Sequence, residues 1–262
     1  MLFPQSPRVI YEKNPLAEVI CQLRFPRILR IDTELPAVFQ EQIRSAFPNF
    51  SQSPSLELGK LPPDLARLVG LDRALGSGQQ SYEFSSADGA WKVTLTSQAL
   101  ALVTTRYARW EEFKERLALP LRALEHVYAP SFFSRLGLRY QDVVRRSDLG
   151  LGETPWHELL EVQVLGELAT PAIEAAAIEV ARNLLLQLDE EGDKVRVQHG
   201  FAKTGQDPET CYLIDCDFFV EQQTEPSNAT TVLDRLNKES GRLFRWCIKP
   251  RLHEAMGPRP AL

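Results

Sequence analysis

Two acidic residues alternate with apolar ones in the segment YLIDCDFFV, and they are well placed for chemistry. Successive side chains of a β-strand point to opposite faces, so Asp215 and Asp217 would project from the same face. Two carboxylates on one face can hold a cation or act as a general acid and base. His199, which precedes a glycine at the end of another strand-like run, would complete a catalytic set.

The same acids have a simpler interpretation as halves of ion pairs. Carboxylate–guanidinium pairs across strands stabilise a sheet without any function. Arg24 and Arg139 are available, because each lies in a strand-like run with a Leu-Arg-aromatic pattern. We therefore expect the two aspartates to pair with Arg139 or Arg24. A metal-assisted hydrolase or a nucleic-acid-processing enzyme that uses these aspartates and His199 is the alternative.

Basic residues recur at helical spacing in the last long helical segment. Steps of 3, 4, 3 and 4 residues place five cations on one helix face. They are Arg235, Lys238, Arg242, Arg245 and Lys249. Such a face can dock an acidic protein partner, an anionic small ligand or a nucleic-acid backbone. A solvated helix face with cations near its C-terminus is the simpler interpretation and the favoured one.

The segment HELLE matches a zinc-protease motif only in part. That chemistry requires two histidines one helical turn apart, with a glutamate as the base. Glu161 stands where the second histidine would be, and the chain has only four histidines. The segments GSGQQS and GLGETP are interpreted as turns, because neither has the strand–loop–helix context of a phosphate-binding loop. We therefore predict no metal and no cofactor.

The composition is that of a soluble globular protein. Of 262 residues, 44% are hydrophobic and 25% are charged, which is close to the average for globular domains. A net charge of −5 argues against a general nucleic-acid coating protein, although a local basic patch can still attract anions. The longest uncharged apolar-leaning stretch, residues 93–105, is shorter than the roughly 20 residues that span a bilayer. With no signal-peptide pattern at the N-terminus, we expect a cytoplasmic protein without membrane contact.

The four cysteines are predicted to be free buried thiols. They are Cys21, Cys211, Cys216 and Cys247. They are scattered through strand and helix patterns in a chain without a signal peptide, which favours reduced thiols over disulfides.

Hydrophobic periodicity divides the first half of the chain into a strand, a helix, a meander and a long helix. Asp88-Gly89 indicates a hairpin inside the meander. Pro120 should kink or split the long helix. Residues 48–80 are rich in Pro, Ser and Gly, and we expect an irregular insertion there.

The second half repeats this order. A strand in SFFSRLGLRYQDVV is followed by a short helix in TPWHELLEVQVLG, with Thr154 as its N-cap. Three more strands precede a final long helix that breaks near Pro250.

The pattern predicts an α+β fold: one compact domain, residues 1–262, with an antiparallel sheet and helices on one face. Two pseudo-repeated βαβββα halves, at 14–130 and 131–257, would place Arg24 and Arg139 at equivalent points of the sheet. The repeat is loose, because the interval is 115 residues from Arg24 to Arg139 but 130 residues from Pro120 to Pro250. A ligand or partner would bind on the open face of the sheet or between the halves.

Four blocks of the chain also resemble a sporadically distributed bacterial family of uncharacterised proteins of about this length. They are RVIYEKNPLAEVICQLRFPRIL, WKVTLTSQALALVTTRYARWEEFKERL, RLGLRYQD and GRLFRWCIKPRLHEAMG. The most specific part is Asn14-Pro15-Leu16 with Glu18-Val19. The resemblance implies a stand-alone bacterial protein, carried on mobile or defence-related loci. It implies no catalytic residues.

Together these observations predict a non-enzymatic binding module that recognises a partner protein or a small ligand. An acidic protein or an anionic small ligand is the expected partner, and nucleic acid is a further option through the last helix. A small-molecule sensor is another alternative, because the expected topology resembles duplicated SHS2-type ligand binders.

Overall fold

The computed structural model describes residues 2–53, 80–189, 192–203 and 209–261. These residues form eleven strands. In chain order they are β1 Val9–Tyr11, β2 Leu16–Arg24, β3 Asn49–Ser53, β4 Ser81–Ser85, β5 Trp91–Thr96, β6 Ala99–Thr104, β7 Arg135–Val144, β8 Ala181–Gln187, β9 Lys194–Lys203, β10 Thr210–Val220 and β11 Pro258–Pro260. Nine of them make one antiparallel sheet in the order β3-β4-β5-β6-β2-β7-β10-β9-β8. The other two, β1 and β11, pair with each other and join the two ends of the chain.

Two of the α-helices in the described ranges are long, at 19 residues each. The α-helices are α1 Leu29–Thr33, α2 Ala37–Ile43, α3 Trp110–Tyr128, α4 Val162–Leu165, α5 Pro171–Ala176, α6 Ala229–Cys247 and α7 Pro250–Ala255. Short 3₁₀ turns lie at Ser147–Leu149, Trp156–Glu158, Gly166–Ala169 and Pro226–Asn228. Within these residues, no helix has the length and apolar character needed to cross a bilayer.

The two faces of the sheet differ in what they carry. On β2, the alternating residues Val19, Cys21 and Leu23 are fully buried and belong to the main core, together with apolar residues of the helices. The opposite face carries the charged residues of β7 and β10 and only a small apolar cluster centred on Ala202 and Leu213. The predicted α+β fold, with helices on one face of an antiparallel sheet, is confirmed.

The strands on either side of the central β2–β7 pair follow one order. In each half, the last strand of the meander pairs with the first strand of that half, β6 with β2 and β10 with β7. The prolines do not match in the same way, because Pro120 lies inside the unbroken α3 whereas Pro250 begins α7. An internal duplication therefore stays a prediction.

Two local predictions have different outcomes. The Asp88-Gly89 hairpin is confirmed, with Gly89 at φ +70° and the Asp88 carboxylate accepting from the Ala90 N–H. The predicted insertion begins with a strand instead, since Asn49–Ser53 pairs with β4. Residues 54–79 lie outside the described ranges.

The short helix predicted after Thr154 is wrong in form. The segment consists of the 3₁₀ turn Trp156–Glu158 and the separate short helix α4, and the turn is not capped by the Thr154 side chain. Glu174 of α5 accepts hydrogen bonds from the Trp156 and His157 backbone N–H groups at 2.6 and 3.3 Å. A carboxylate from another element therefore caps this turn, which sequence spacing does not reveal.

Candidate functional site

The predicted pair between Asp215 and Arg139 is present. On the sheet face away from the helices, Arg139 donates from Nε and Nη2 to the two Asp215 oxygens at 2.7 and 2.5 Å. Both side chains are nearly buried, at 11% and 2% exposure. Burial raises the pKa of Asp215, and the hydrogen bonds from Arg139 oppose that rise. The simplest role of this pair is structural.

Asp217 pairs with Arg135, not with Arg24. Arg135 Nη2 lies 2.7 Å from Asp217 Oδ2, and the guanidinium covers the Phe219 ring at 4.6 Å. Arg24 Nε donates to Gln22 at 3.0 Å. The reason is strand order, because β7 separates β2 from β10.

His199 lies on the other face of the sheet from the two aspartates. It is buried, and its Nδ1 is 3.0 Å from the Tyr212 hydroxyl oxygen. Burial lowers the pKa of His199 to about 4, so the ring is neutral near pH 7. The alternative catalytic set of Asp215, Asp217 and His199 is therefore not brought together. Within the described ranges, no cluster of histidine, cysteine and acidic side chains is arranged to hold a metal.

The five cations of the last helix do not form one exposed face, which corrects the sequence-based expectation. Arg235 donates to both oxygens of the buried Asp193 at 2.5 and 2.7 Å. Lys249 donates to a backbone carbonyl at 2.7 Å. Arg242 is buried and bonded to Glu239. Of the five, Lys238 is exposed, and the others are buried or partly buried against the rest of the fold.

A cavity of about 540 Å³ lies where α6 faces the centre of the sheet. The N-terminal segment 5–11 and the loop 107–110 close its other sides. From α6 and β7 its walls include Lys238, Arg242, Arg245, Tyr140 and Asp142. Its volume falls within the range of about 300–1,000 Å³ that is typical of small-molecule sites. We call it the central cavity.

Arg245 is the cation of the central cavity with an unmet hydrogen-bonding capacity. Its Nη1 is buried and has no hydrogen-bond partner in the described part of the chain. Arg245 lowers the pKa of the neighbouring Tyr11, but burial has the larger effect and raises that pKa to about 12. The Tyr11 hydroxyl lies 2.8 Å from His253 Nδ1. A negatively charged ligand group could supply the acceptor that Arg245 lacks.

Asp142 is the acidic residue in the wall of the central cavity. It is 6% exposed and lies on the helix-covered side of the sheet. None of the hydrogen bonds or ion pairs among the described residues satisfies its carboxyl group. Burial, together with the charge of Asp215, raises the pKa of Asp142 well above its ordinary value. The group is thus held as a neutral carboxylic acid over a wider pH range than a normal aspartate.

Sequence reasoning missed Asp142, although a signal was present. The inward positions of β7 read Leu136, Leu138, Tyr140, Asp142 and Val144. An acidic residue in such a series is a buried polar group, and buried polar groups need a partner or a function.

Aromatic residues form the remaining walls of the central cavity. Tyr140 donates its hydroxyl to Asn237 at 2.8 Å and meets Tyr107 edge-on at 5.8 Å between ring centres. Trp110 donates from Nε1 to Asp234 at 2.6 Å. These bonds join β7 and α3 to α6 and fix the shape of the cavity.

A second, more open cavity of about 500 Å³ adjoins the first. The two share Asn14, Leu16, Tyr107 and Ala108 as wall residues. Asn14 Oδ1 accepts from the Leu16 N–H at 3.1 Å, and Asn14 Nδ2 donates to the Tyr107 carbonyl at 3.4 Å. Asn14 therefore ties the partition between the two cavities to the start of β2.

No protein-family model matches this chain, and no curated protein is significantly similar to it. The family resemblance and the bacterial, mobile or defence-related context that it implies stay predictions.

Proposed function

We propose that this chain is a non-enzymatic binding module that takes a small anionic ligand into the central cavity. The observation that carries the proposal is the charge of the cavity walls. Arg109, Lys238 and Arg245 form no ion pair with any described residue, and all three line the cavity. They face a single wall carboxyl, Asp142, whose raised pKa reduces its negative charge.

Burial of these groups favours a small ligand over a large one. Arg242 is buried and Arg245 is only partly exposed. A protein surface or a nucleic-acid backbone would have direct access to Lys238, which is exposed, but not to the whole set. A ligand small enough to enter the cavity can reach all of them.

The enzyme alternative has less support. Its three residues lie on two faces of the sheet, and both aspartates already pair with arginines. A protein that only binds a ligand in the central cavity does not need Asp215, Asp217 or His199 as catalytic residues. A cytoplasmic location and a lack of membrane contact belong to the same proposal.

Thermal unfolding with an inorganic anion tests the proposal. A ligand that binds only the native state stabilises it by about 2.7 kcal/mol at 100 times its Kd. We expect inorganic pyrophosphate to raise the Tm of the protein, and Arg245→Gln to remove most of that rise. The shift should shrink with added NaCl, because salt screens the attraction.

Arg122→Gln is the matched control. Arg122 is exposed on α3 and does not line the central cavity, so its loss removes one positive charge without changing the cavity. The control should keep the pyrophosphate shift. Equal shifts in Arg245→Gln and Arg122→Gln would refute the proposed site, and Lys238→Gln repeats the comparison with an exposed residue if Arg245→Gln folds poorly.

A further inference from the structure

The walls of the central cavity carry both cations and a carboxyl group, and these come from different elements. The cations Lys238 and Arg245 come from α6, whereas Asp142 comes from β7. Both Arg245 and Asp142 influence the pKa of Tyr11, so this residue lies near both of them. A ligand that fills the cavity can therefore contact both the cations of α6 and the carboxyl group of β7.

The carboxyl group restricts the part of the ligand that contacts it. A protonated carboxyl group offers one donor and one acceptor side by side, whereas a carboxylate offers acceptors only. Burial favours the protonated form of Asp142. The complementary ligand edge has an acceptor next to a donor. Each of the common nucleobases presents this arrangement, as a ring nitrogen beside an amino group in adenine and cytosine and as a carbonyl oxygen beside a ring N–H in guanine and uracil.

The aromatic residues of the walls suit a flat ring. They include two pairs that meet edge-on, Tyr11 with Phe244 and Tyr107 with Tyr140. Bases bind to proteins by stacking on aromatic side chains, and each stacked base contributes roughly 1–3 kcal/mol of binding in nucleic-acid complexes. The cavity therefore combines anion-binding cations, aromatic walls and a hydrogen-bonding group.

We propose that the ligand of the central cavity is a free nucleoside monophosphate, its phosphate at Lys238 and Arg245 and its base edge at Asp142. This inference rests on the proposed function and specifies the ligand class. A phosphate at Arg245 also provides the acceptor that its buried Nη1 lacks.

Isothermal titration calorimetry on the full chain tests the inference with four probes. They are adenosine 5′-monophosphate, guanosine 5′-monophosphate, ribose 5-phosphate and the trinucleotide ApApA. We expect both nucleotides to bind at least about ten-fold more tightly than ribose 5-phosphate, the size of effect expected when a hydrogen-bonded base edge is lost. Tighter binding of ApApA would indicate an RNA end as the ligand and would overturn the free nucleotide.

Two variants of Asp142 separate recognition from structure. Asp142→Asn keeps one donor and one acceptor, so it should bind the adenosine nucleotide within about three-fold of the wild type. Asp142→Leu fills the same space without hydrogen bonds and should bind at least about ten-fold more weakly. A purely structural role for Asp142 predicts no such rescue by asparagine.

The outcomes distinguish the two proposals. If ribose 5-phosphate binds as tightly as the adenosine nucleotide and Asp142→Leu changes neither affinity, the base site is refuted and the anion site remains. If none of these phosphates binds and pyrophosphate does not raise the Tm, the proposed function itself is refuted.

Discussion

Asp142 has a cost to stability that depends on pH. In the unfolded chain an aspartate ionises near pH 3.9, whereas burial raises the pKa of Asp142 in the folded protein. Between the two values the folded state holds more protons than the unfolded state, so stability falls as pH rises. Asp142→Asn removes this titration. We expect it to raise the free energy of unfolding at pH 8, because asparagine avoids the cost of keeping this buried carboxyl group protonated or of burying its charge.

Urea unfolding of the wild type and Asp142→Asn at pH 5 and pH 8 measures this effect. The advantage of the variant should be smaller at pH 5. A larger advantage at pH 5 would show that the sign is wrong and that Asp142 is stabilised as a carboxylate. Asp148→Asn, at an exposed aspartate in a surface turn, should shift stability little at either pH.

The titration of His199 changes stability with pH in the opposite direction to that of Asp142. Its pKa is lowered to about 4 by burial, against about 6.5 in an unfolded chain. Below pH 6.5 the unfolded state gains protons that the folded state does not, so stability is lost as pH falls towards 4. We expect His199→Gln to lose less stability than the wild type between pH 7 and pH 5. Parallel pH profiles from urea unfolding would contradict this.

Substitutions in the Arg139–Asp215 pair can measure how much stability is lost when a buried charge has no partner. Asp215→Ala leaves Arg139 without its partner, and we expect a loss of about 3–5 kcal/mol in the free energy of unfolding. The double variant Arg139→Met/Asp215→Leu should recover most of it, since apolar replacement of a buried pair is often neutral. Glu158→Ala is the control, because the exposed Arg251–Glu158 pair should contribute less than about 1 kcal/mol. If Asp215→Ala and the double variant lost equal amounts of unfolding free energy, the loss would come from altered packing and not from the unpaired charge of Arg139.

The sequence predicted only part of this residue-level arrangement. Alternation in YLIDCDFFV placed both aspartates on one face, and Arg139 was identified as a partner. Arg135 was missed because its pairing depends on β7 lying beside β10, which follows from the order of strands and not from local spacing.

At the scale of elements, Gly200 allows β9 to approach the start of β8. Gly200 has φ +156°, and a Cβ atom there would lie 1.9 Å from the Val180 carbonyl oxygen. That carbonyl accepts from the Phe201 N–H at 2.9 Å. The contact is with backbone, so Gly200→Ala must displace a strand, and we expect a loss of more than about 2 kcal/mol.

Gly152→Ala is the control for this prediction. A Cβ at Gly152 would have no atom within 4 Å, and its backbone is not left-handed. Its unfolding free energy in urea should change by less than about 1 kcal/mol. Similar losses in both variants would show that β9 does not depend on this close approach.

Helix α6 shows what periodicity can and cannot predict about an element. Apolar spacing correctly indicated its buried side, including Leu236, Leu243 and Cys247. Of the five cations, Lys238, Arg242 and Arg245 line the central cavity, whereas Arg235 does not and Lys249 lies beyond the end of α6. Spacing alone does not show these surroundings. They include the N-terminal segment 5–11, which is held there by β1–β11 pairing between residues far apart in sequence. Local patterns contain no information about such contacts.

At the scale of the whole molecule, the two halves meet through their first strands. β2 and β7 pair from Arg24 opposite Arg135 to Leu16 opposite Asp142. Both strands contribute to one continuous apolar core. The boundary predicted near residue 130 therefore falls beside the most central strands. The central cavity depends on this arrangement, because its walls come from the N-terminal segment, β7 and α6.

This shared centre predicts that the halves unfold together. The Trp110 indole of the first half donates to Asp234 of the second, and β1 in the first half pairs with β11 at the other end of the chain. Separating the halves would expose the inward faces of β2 and β7 at once. Burial of apolar surface is the main stabilising contribution to folding, so a half that unfolds alone would remove much of the stability of the other.

Tryptophan fluorescence can follow each half separately during urea unfolding. Trp91 and Trp110 report on the first half, and Trp156 and Trp246 on the second. In the variants Trp91→Phe/Trp110→Phe and Trp156→Phe/Trp246→Phe, the fluorescence midpoint should equal the circular-dichroism midpoint of the same variant, because coincident transitions indicate a single cooperative unit. Comparison within each variant cancels the stability lost with the Trp110–Asp234 bond. Two separate midpoints would show that the halves are independent domains and that the β2–β7 junction contributes little to cooperativity.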